Sequence, residues 1–292
     1  MAIFVRGSDI GSSWLAAYEQ LQQTGHAVNL AVAIEEPLRE DAGVRRAIER
    51  ELVKCREHTD LSAFRRPQSM HTVANTIFPV GLYRPDRDGA AERFFANALR
   101  VERQRAKAKN RQWGTYIGRL VAYPSPNGAA TNQLETALEV LNRDRNYKDR
   151  YEMPLVVAQG QAADVTGGAL LHGDCATDGF RAQGGPCLAH MSFTSVDGRM
   201  SMTALYRAHA YELRAYGNFL GLARLLSFLA AESGREVGDL LVVASHAWAD
   251  SPSRSQLLEA ALAASGEVTD IETHARPLGV GVGDLDLPQA TA

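Results

Sequence analysis

An α+β fold in one domain over residues 1–292 is what this sequence predicts, and three observations carry the prediction. Short runs rich in β-branched and apolar residues recur with polar turns between them, the mark of strands. Asp197-Gly198 lies between two alternating runs, and Asp-Gly in that setting favours the φ > 0 turn of a tight β-hairpin. Gly217 to Gly234 is helical in pattern and almost wholly apolar, so it must be buried against a sheet or other helices. No internal repeat and no linker divides the chain.

The elements follow in order. IFVRG predicts a strand, followed by an amphipathic helix with Ser12 or Ser13 as N-cap and Gly25 as its stop. LAVAIEEP (Leu30 to Pro37) predicts a strand, and Asp41 to His58, charged on a helical period, a surface helix. His71 to Tyr83 begins apolar and is broken at Pro79, whose ring and missing N–H bar a helix interior. Asp86 to Arg111 predicts a helix that turns basic towards its end. WGTYIGRLVAYP (Trp113 to Pro124) predicts a turn and strand, PSPNG a loop, and Thr131 to Arg145 a helix. Met153 to Gln161, Cys187 to Val196 and Arg199 to Ala208 predict strands, the last two forming the hairpin. After the apolar helix come a strand, Asp239 to Trp248, and a helix, Ser253 to Ser265, and the tail after Arg276 is irregular.

Composition limits the function classes. Lys plus Arg number 31 against 34 Asp plus Glu, a net charge of -3, which gives no electrostatic reason to expect nucleic acid or an anionic membrane as partner. A small-molecule ligand fits better. No apolar stretch approaches the roughly 20 residues needed to span a bilayer, and the start lacks a basic region followed by an apolar run, so the expectation is a cytoplasmic protein. Three cysteines, Cys55, Cys175 and Cys187, lack zinc-ligand spacing, so neither a disulfide framework nor a metal site is expected.

Residues 184–248 read GGPCLAHMSFTSVDGRMSMTALYRAHAYELRAYGNFLGLARLLSFLAAESGREVGDLLVVASHAW. This window resembles the catalytic half of thymidylate synthases and nucleotide hydroxymethylases. The family's Pro-Cys falls on Pro186-Cys187, its hairpin Asp-Gly-Arg/Lys-x-Ser on Asp197 to Ser201, and its phosphate-binding arginine on Arg207. Its base-reading Asn falls on Asn218, and its His-x-Tyr resembles His246-Ala247-Trp248. Less specific matches place Tyr116 at a family tyrosine and Asn75 at the family's catalytic glutamate. The resemblance implies a thymidylate synthase-like fold, with a large mixed sheet around a buried central helix, and a sheet-to-sheet homodimer.

The implied chemistry is one-carbon transfer to C5 of a pyrimidine nucleotide or related ring, with 5,10-methylenetetrahydrofolate as carbon donor. It needs a nucleophile at C6, and Cys187 is the candidate: a thiolate added there makes C5 nucleophilic. Arg207 lies one hairpin away, able to lower the thiol's pKa, and by resemblance holds the phosphate with its planar fork. Asn218 would face the O4 and N3 edge of uracil, His246 would hydrogen-bond the sugar 3′-hydroxyl, Trp248 would stand at the family's Tyr as a further substrate-binding position, and Tyr116 would relay protons through water. Lys148 and Arg150 stand near the arginine pair that the family lends to its partner subunit. Each position also has a plainer reading: a buried strand cysteine, a surface ion pair at Arg207, a helix cap at Asn218, a structural histidine at His246, core packing at Tyr116.

The departures bear on substrate. The family's polar contacts are Leu188 for His, Tyr206 for Gln, Ala208 for Ser and Ala210 for Asp. Asn75 cannot act as a general acid or base, and of the arginine loop that closes on phosphate only Arg6 is a candidate. Two expectations follow. One is a transferase whose favoured reaction is hydroxymethyl transfer, or methylation of an unusual substrate. The alternative is a diverged, non-catalytic thymidylate synthase-fold protein that binds a nucleotide or serves as a partner subunit.

Overall fold

The computed structural model describes residues 2–58, 67–107, 114–124, 130–143, 151–156, 185–249 and 254–275. Strand β1 (Ile3–Gly7) leads into helix α1 (Ile10–Thr24). The cap of α1 is Asp9 and not Ser12 or Ser13. Its Oδ1 accepts from the N–H groups of Gly11 at 2.7 Å and Ser12 at 3.1 Å, and the Ser12 hydroxyl accepts from the Asp9 N–H in return. Gly25 ends the helix at φ 78, as its sequence position predicts.

Strands β2 (His26–Ile34) and β3 (Arg39–Asp41) precede helix α2 (Ala42–His58). The charges of α2 cover one side only, since Val44, Ala47, Ile48 and Leu52 are buried on the other. Helix α3 (Met70–Ile77) stops one residue short of the Phe78-Pro79 break, and a 3₁₀ turn, Val80–Leu82, follows. Helix α4 (Ala90–Arg105) begins four residues after Asp86, because the chain turns at Gly89 with φ 64.

Trp113 to Pro124 is the clearest correction. Its strand-like composition hides helix α5 (Tyr116–Val121), capped by the Thr115 hydroxyl on the Gly118 N–H and buried along its whole length. Tertiary contact overrides propensity here: Gly118 lies so close to α4 that a Cβ would stand 2.9 Å from Glu102 Oε2. Strands β4 (Tyr123–Pro124) and β5 (Ala130–Thr131), helix α6 (Gln133–Arg143) and strand β6 (Tyr151–Pro154) come next.

Strands β7 (Leu188–Val196) and β8 (Arg199–Tyr206) form the predicted hairpin, with Asp197 at φ 51 and Gly198 at φ 79. Strand β9 (His209–Ala210), a π-helical turn (Tyr211–Ala215), helix α7 (Tyr216–Glu232), strand β10 (Glu236–Trp248), helix α8 (Arg254–Ala264) and strand β11 (Val268–Asp270) complete the described chain. The tail after Arg276 lies outside the described residues, as do Cys175, Lys148 and Arg150.

The main sheet has seven strands in the order β1-β2-β10-β8-β7-β6, with β9 also paired to β10. It is mixed: β1/β2 and β8/β10 are parallel, while β2/β10, β7/β8 and β6/β7 are antiparallel. One face packs into the core through Leu30, Val32, Met191, Phe193, Met200, Met202, Leu240 and Val242. Helix α7 is the apolar centre of that layer. Helix α3 lies against it at Gly217 and Gly221, where an added Cβ would meet the Met70 carbonyl oxygen at 2.9 Å and the Ala74 carbonyl oxygen at 2.8 Å. The opposite face leaves Phe4, Val28, Val196 and Leu205 exposed. No helix among the described residues is long and apolar enough to cross a membrane.

Candidate functional site

The candidate site forms where β7 begins and β8 ends. Leu188 pairs with Tyr206, and the Arg207 N–H donates to the Cys187 carbonyl at 2.9 Å, so backbone pairing alone sets Cys187 beside Arg207. Between Leu188 and His190 the register slips by one residue, a bulge that re-aims the strand at the cysteine. Cys187 is a half-buried free thiol, and the Arg207 side chain hydrogen-bonds it. Burial pushes the thiol up, while the charges of Arg207 and Arg214 pull it down; burial is the larger effect.

Tyr116 comes from α5 and is buried. Its phenol oxygen accepts from the Cys187 N–H at 3.1 Å and the Leu188 N–H at 3.2 Å, which pins the bulged backbone that carries the thiol. Burial, then the neighbouring Cys187, push its ionisation up to about 12, so the phenol keeps its proton at physiological pH and cannot be a base. Sequence reasoning brings Cys187, Arg207 and Tyr116 together, and the structure does the same.

Asn218 lies on α7 and is buried, at 5% exposure. Its Nδ2 lies 3.1 Å from His209 Nε2, and the His209 ring stacks on Tyr206 with centroids 4.4 Å apart and planes 6° from parallel. Burial drives His209 down to about 3, so the ring is neutral. The Tyr206 hydroxyl is buried without a hydrogen-bond partner, in electrostatic range of Tyr116 and Cys187. Asn75 lies on α3 with its Oδ1 likewise buried and unpartnered. Unpaired buried polar atoms are costly unless a ligand or water meets them.

The β8–β10 register pairs Tyr206 with Ala244, which puts His246 and Trp248 at the same end of the sheet as Cys187. Their rings stack at 5.4 Å, and His26 lies 6.0 Å from His246, so this exposed histidine belongs to a surface aromatic strip. Arg6 is not brought to Cys187: it pairs with Glu35 at 3.3 Å and lines a hollow with Thr194, Arg199 and Asp239, towards the other end of β8. Arg214 and His209 are residues that sequence reasoning passes over, while Tyr206, read in the sequence as a lost glutamine, is the ring on which His209 stacks. Among the described residues no group of three or more His, Cys, Asp or Glu side chains could hold a metal ion.

No known family model matches the chain. A protein of Methanothermobacter thermautotrophicus described as "Putative thymidylate synthase" is 40% identical to it over 57 residues, 20% of this chain. The match spans 26% of that protein's length, about a quarter.

Proposed function

We propose that the chain is a diverged thymidylate synthase-like transferase that activates a pyrimidine nucleotide, or a related ring, by adding Cys187 to C6. The observation that carries this reading is the set of groups at the thiol: Arg207 on its sulfur, and Tyr116 holding its backbone. The short identity with the archaeal protein supports the family and nothing finer.

In the proposed step the thiolate forms a C–S bond at C6, and the C5–C6 π pair moves through C5 to the C4 carbonyl oxygen, giving an enolate. C5 then takes a proton or a carbon electrophile. Loss of the original C5 hydrogen restores the enolate, which expels the thiolate and regenerates the ring. Arg207 and Arg214 stabilise the anionic sulfur before addition and after expulsion. The carboxamide at Asn75 leaves proton movement to water, with Tyr116 able to donate but not to accept at physiological pH.

Methylenetetrahydrofolate is the carbon donor that the resemblance implies. The shell fits it poorly: Ala210, paired with Trp248, puts a methyl where the family has a ligand-contacting aspartate. Hydroxymethyl transfer is therefore favoured over methylation, which needs a folate held to deliver hydride. The resemblance also proposes a homodimer, and the exposed sheet face supports it. Phe4, Ala31, Val243 and Leu205 follow one another across that face by register, with Phe4 62% and Leu205 40% exposed.

One observation favours the non-catalytic alternative: the amide that should read the base is already bonded to His209. Tritium release from C5-tritiated dUMP, UMP, dCMP and CMP, with and without methylenetetrahydrofolate, decides between the two. Release that is lost in Cys187→Ala is the expected result. No release from any of the four, with Cys187→Ala indistinguishable from the wild type, leaves the non-catalytic reading.

A further inference from the structure

The outer face of the main sheet carries two exposed histidines, His26 on β2 and His246 on β10, and their placement depends on one unusual backbone residue. The two strands run antiparallel, with Ala244 opposite Leu30, His246 opposite Val28 and Trp248 opposite His26. Leu30 and Ala244 are buried, so simple alternation would also turn Val28, His26, His246 and Trp248 towards the core. The opposite is found: Ala27 and Ala247 are the buried residues, and Val28 is 57% exposed. The alternation resets at Asn29, whose φ of 56 lies in the left-handed region. That conformation is uncommon outside glycine, and strained backbone of this kind clusters at ligand-binding sites.

The reset puts His26 and His246 on one face, diagonal to each other across the strand pair. Their ring centroids are 6.0 Å apart with planes at 58°, and His246 is backed by the Trp248 ring at 5.4 Å. Among the described residues neither imidazole has a hydrogen-bond or ion-pair partner, so the ring nitrogens are open to a ligand. Two imidazoles on one ion, each with a metal–nitrogen bond of about 2 Å, place their ring centroids about 5–6.5 Å apart as the angle at the metal opens from tetrahedral to linear. The observed separation falls inside that window without any movement of the backbone.

We infer that His26 and His246 form a two-histidine site for a divalent transition metal that favours imidazole, of the class of Ni²⁺, Cu²⁺ and Zn²⁺, which clips β2 to β10. Water fills the remaining coordination positions, so the ion is exchangeable. Mg²⁺ and Ca²⁺ need oxygen ligands, which this pair does not supply. The inference does not rest on the proposed pyrimidine chemistry; the two meet only at His246, to which the resemblance gives a sugar hydroxyl.

The test is calorimetric titration of the untagged full chain with Ni²⁺, for the wild type, His26→Ala, His246→Ala and the double variant. The wild type is expected to take one ion that each single variant binds at least about tenfold more weakly, because losing either imidazole turns a chelate into a single contact. The double variant should be little weaker than the singles. Trp248 reports where the ion sits: Ni²⁺ should quench its emission, and Trp248→Phe should lose that quenching while the heat of binding remains. An ion that bridges two strands should also raise the Tm of the wild type and not of the single variants. Wild-type affinity in either single variant, quenching that survives in Trp248→Phe, equal binding of Mg²⁺, or a wild-type Tm that Ni²⁺ does not raise overturns the inference.

Discussion

Acid should loosen this fold through His209, and the size of the effect can be worked out. The ring is buried, stacked on Tyr206 and bonded to Asn218, and its ionisation falls from 6.5 to about 3. Because the folded-state value is depressed, the unfolded chain binds the proton first. The stabilising effect of keeping the ring neutral is therefore complete above pH 6.5 and is lost progressively as pH falls towards about 3. Between pH 7 and pH 5 the linkage relation gives a loss of about 2 kcal/mol from this one group. His209→Gln keeps an acceptor for the Asn218 amide and removes the titration. Urea unfolding of both proteins at the two pH values gives the difference directly, because Glu40, Glu102 and His71, whose ionisations are also displaced by burial, titrate in both. The wild type should lose about 2 kcal/mol more than the variant over this interval. Equal losses would show that His209 is not held neutral, and the Tyr206–His209–Asn218 arrangement would have to be redrawn.

Three further outcomes are expected. Tyr116→Phe removes the acceptor of two N–H groups and should cost about 2 kcal/mol in urea unfolding, with hydrogen exchange accelerated at Cys187 and Leu188 but not along the rest of β7. Gly221→Ala puts a Cβ 2.8 Å from the Ala74 carbonyl oxygen and 3.0 Å from Ile77 Cβ, so it should lower stability by about 1–3 kcal/mol by prising α3 from α7, seen as a drop in Tm. Leu205→Arg on the exposed sheet face should turn a dimer into monomers in sedimentation at micromolar concentration without lowering Tm, and a wild-type monomer under the same conditions would remove the proposed interface.

The parts of the fold that were legible in the sequence are those written in local signals. The Asp197-Gly198 turn between alternating runs locates the hairpin, and the unbroken apolarity of Gly217 to Gly234 announces the buried α7. Gly25 and Pro79 act through their own backbone restrictions, so their effects can be read residue by residue. The segment around Tyr116 could not be read that way. Its β-branched and aromatic residues favour a strand, and only the approach of Gly118 to Glu102, a contact sixteen residues apart, makes a helix the better choice. Asp9, Ser12 and Ser13 carry the same cap signal in the sequence, and the reciprocal bonds show that Asp9 is the cap and Ser12 the third residue of a capping box.

In the site, the pairing of Cys187 with Arg207 is legible because one hairpin with a known turn fixes it. Arg214 is not, since nothing in Tyr-Glu-Leu-Arg-Ala marks a π turn, and an ordinary α-helical turn there would aim the side chain elsewhere. The trans-subunit positions Lys148 and Arg150 lie outside the described residues.

The bond between Asn218 and His209 bears on both functional readings, and its chemistry weakens the case for lost activity. With the amide Nδ2 donating, His209 Nε2 accepts and the neutral ring carries its proton on Nδ1, so amide orientation and ring tautomer go together. Nδ2 has two hydrogens, and one contact to His209 uses one of them. The other hydrogen and the Oδ1 acceptor remain, which is the donor–acceptor pair that the O4 and N3–H edge of uracil requires. The histidine and the amide are coupled: turning the amide over keeps the bond when the ring proton moves to Nε2, which then donates to Oδ1. Stacking on Tyr206 holds the histidine in turn. The bond therefore leaves Asn218 able to meet a further partner, and under the proposed nucleotide reading the tautomer of His209 would decide whether the amide faces a keto or an amino pyrimidine edge.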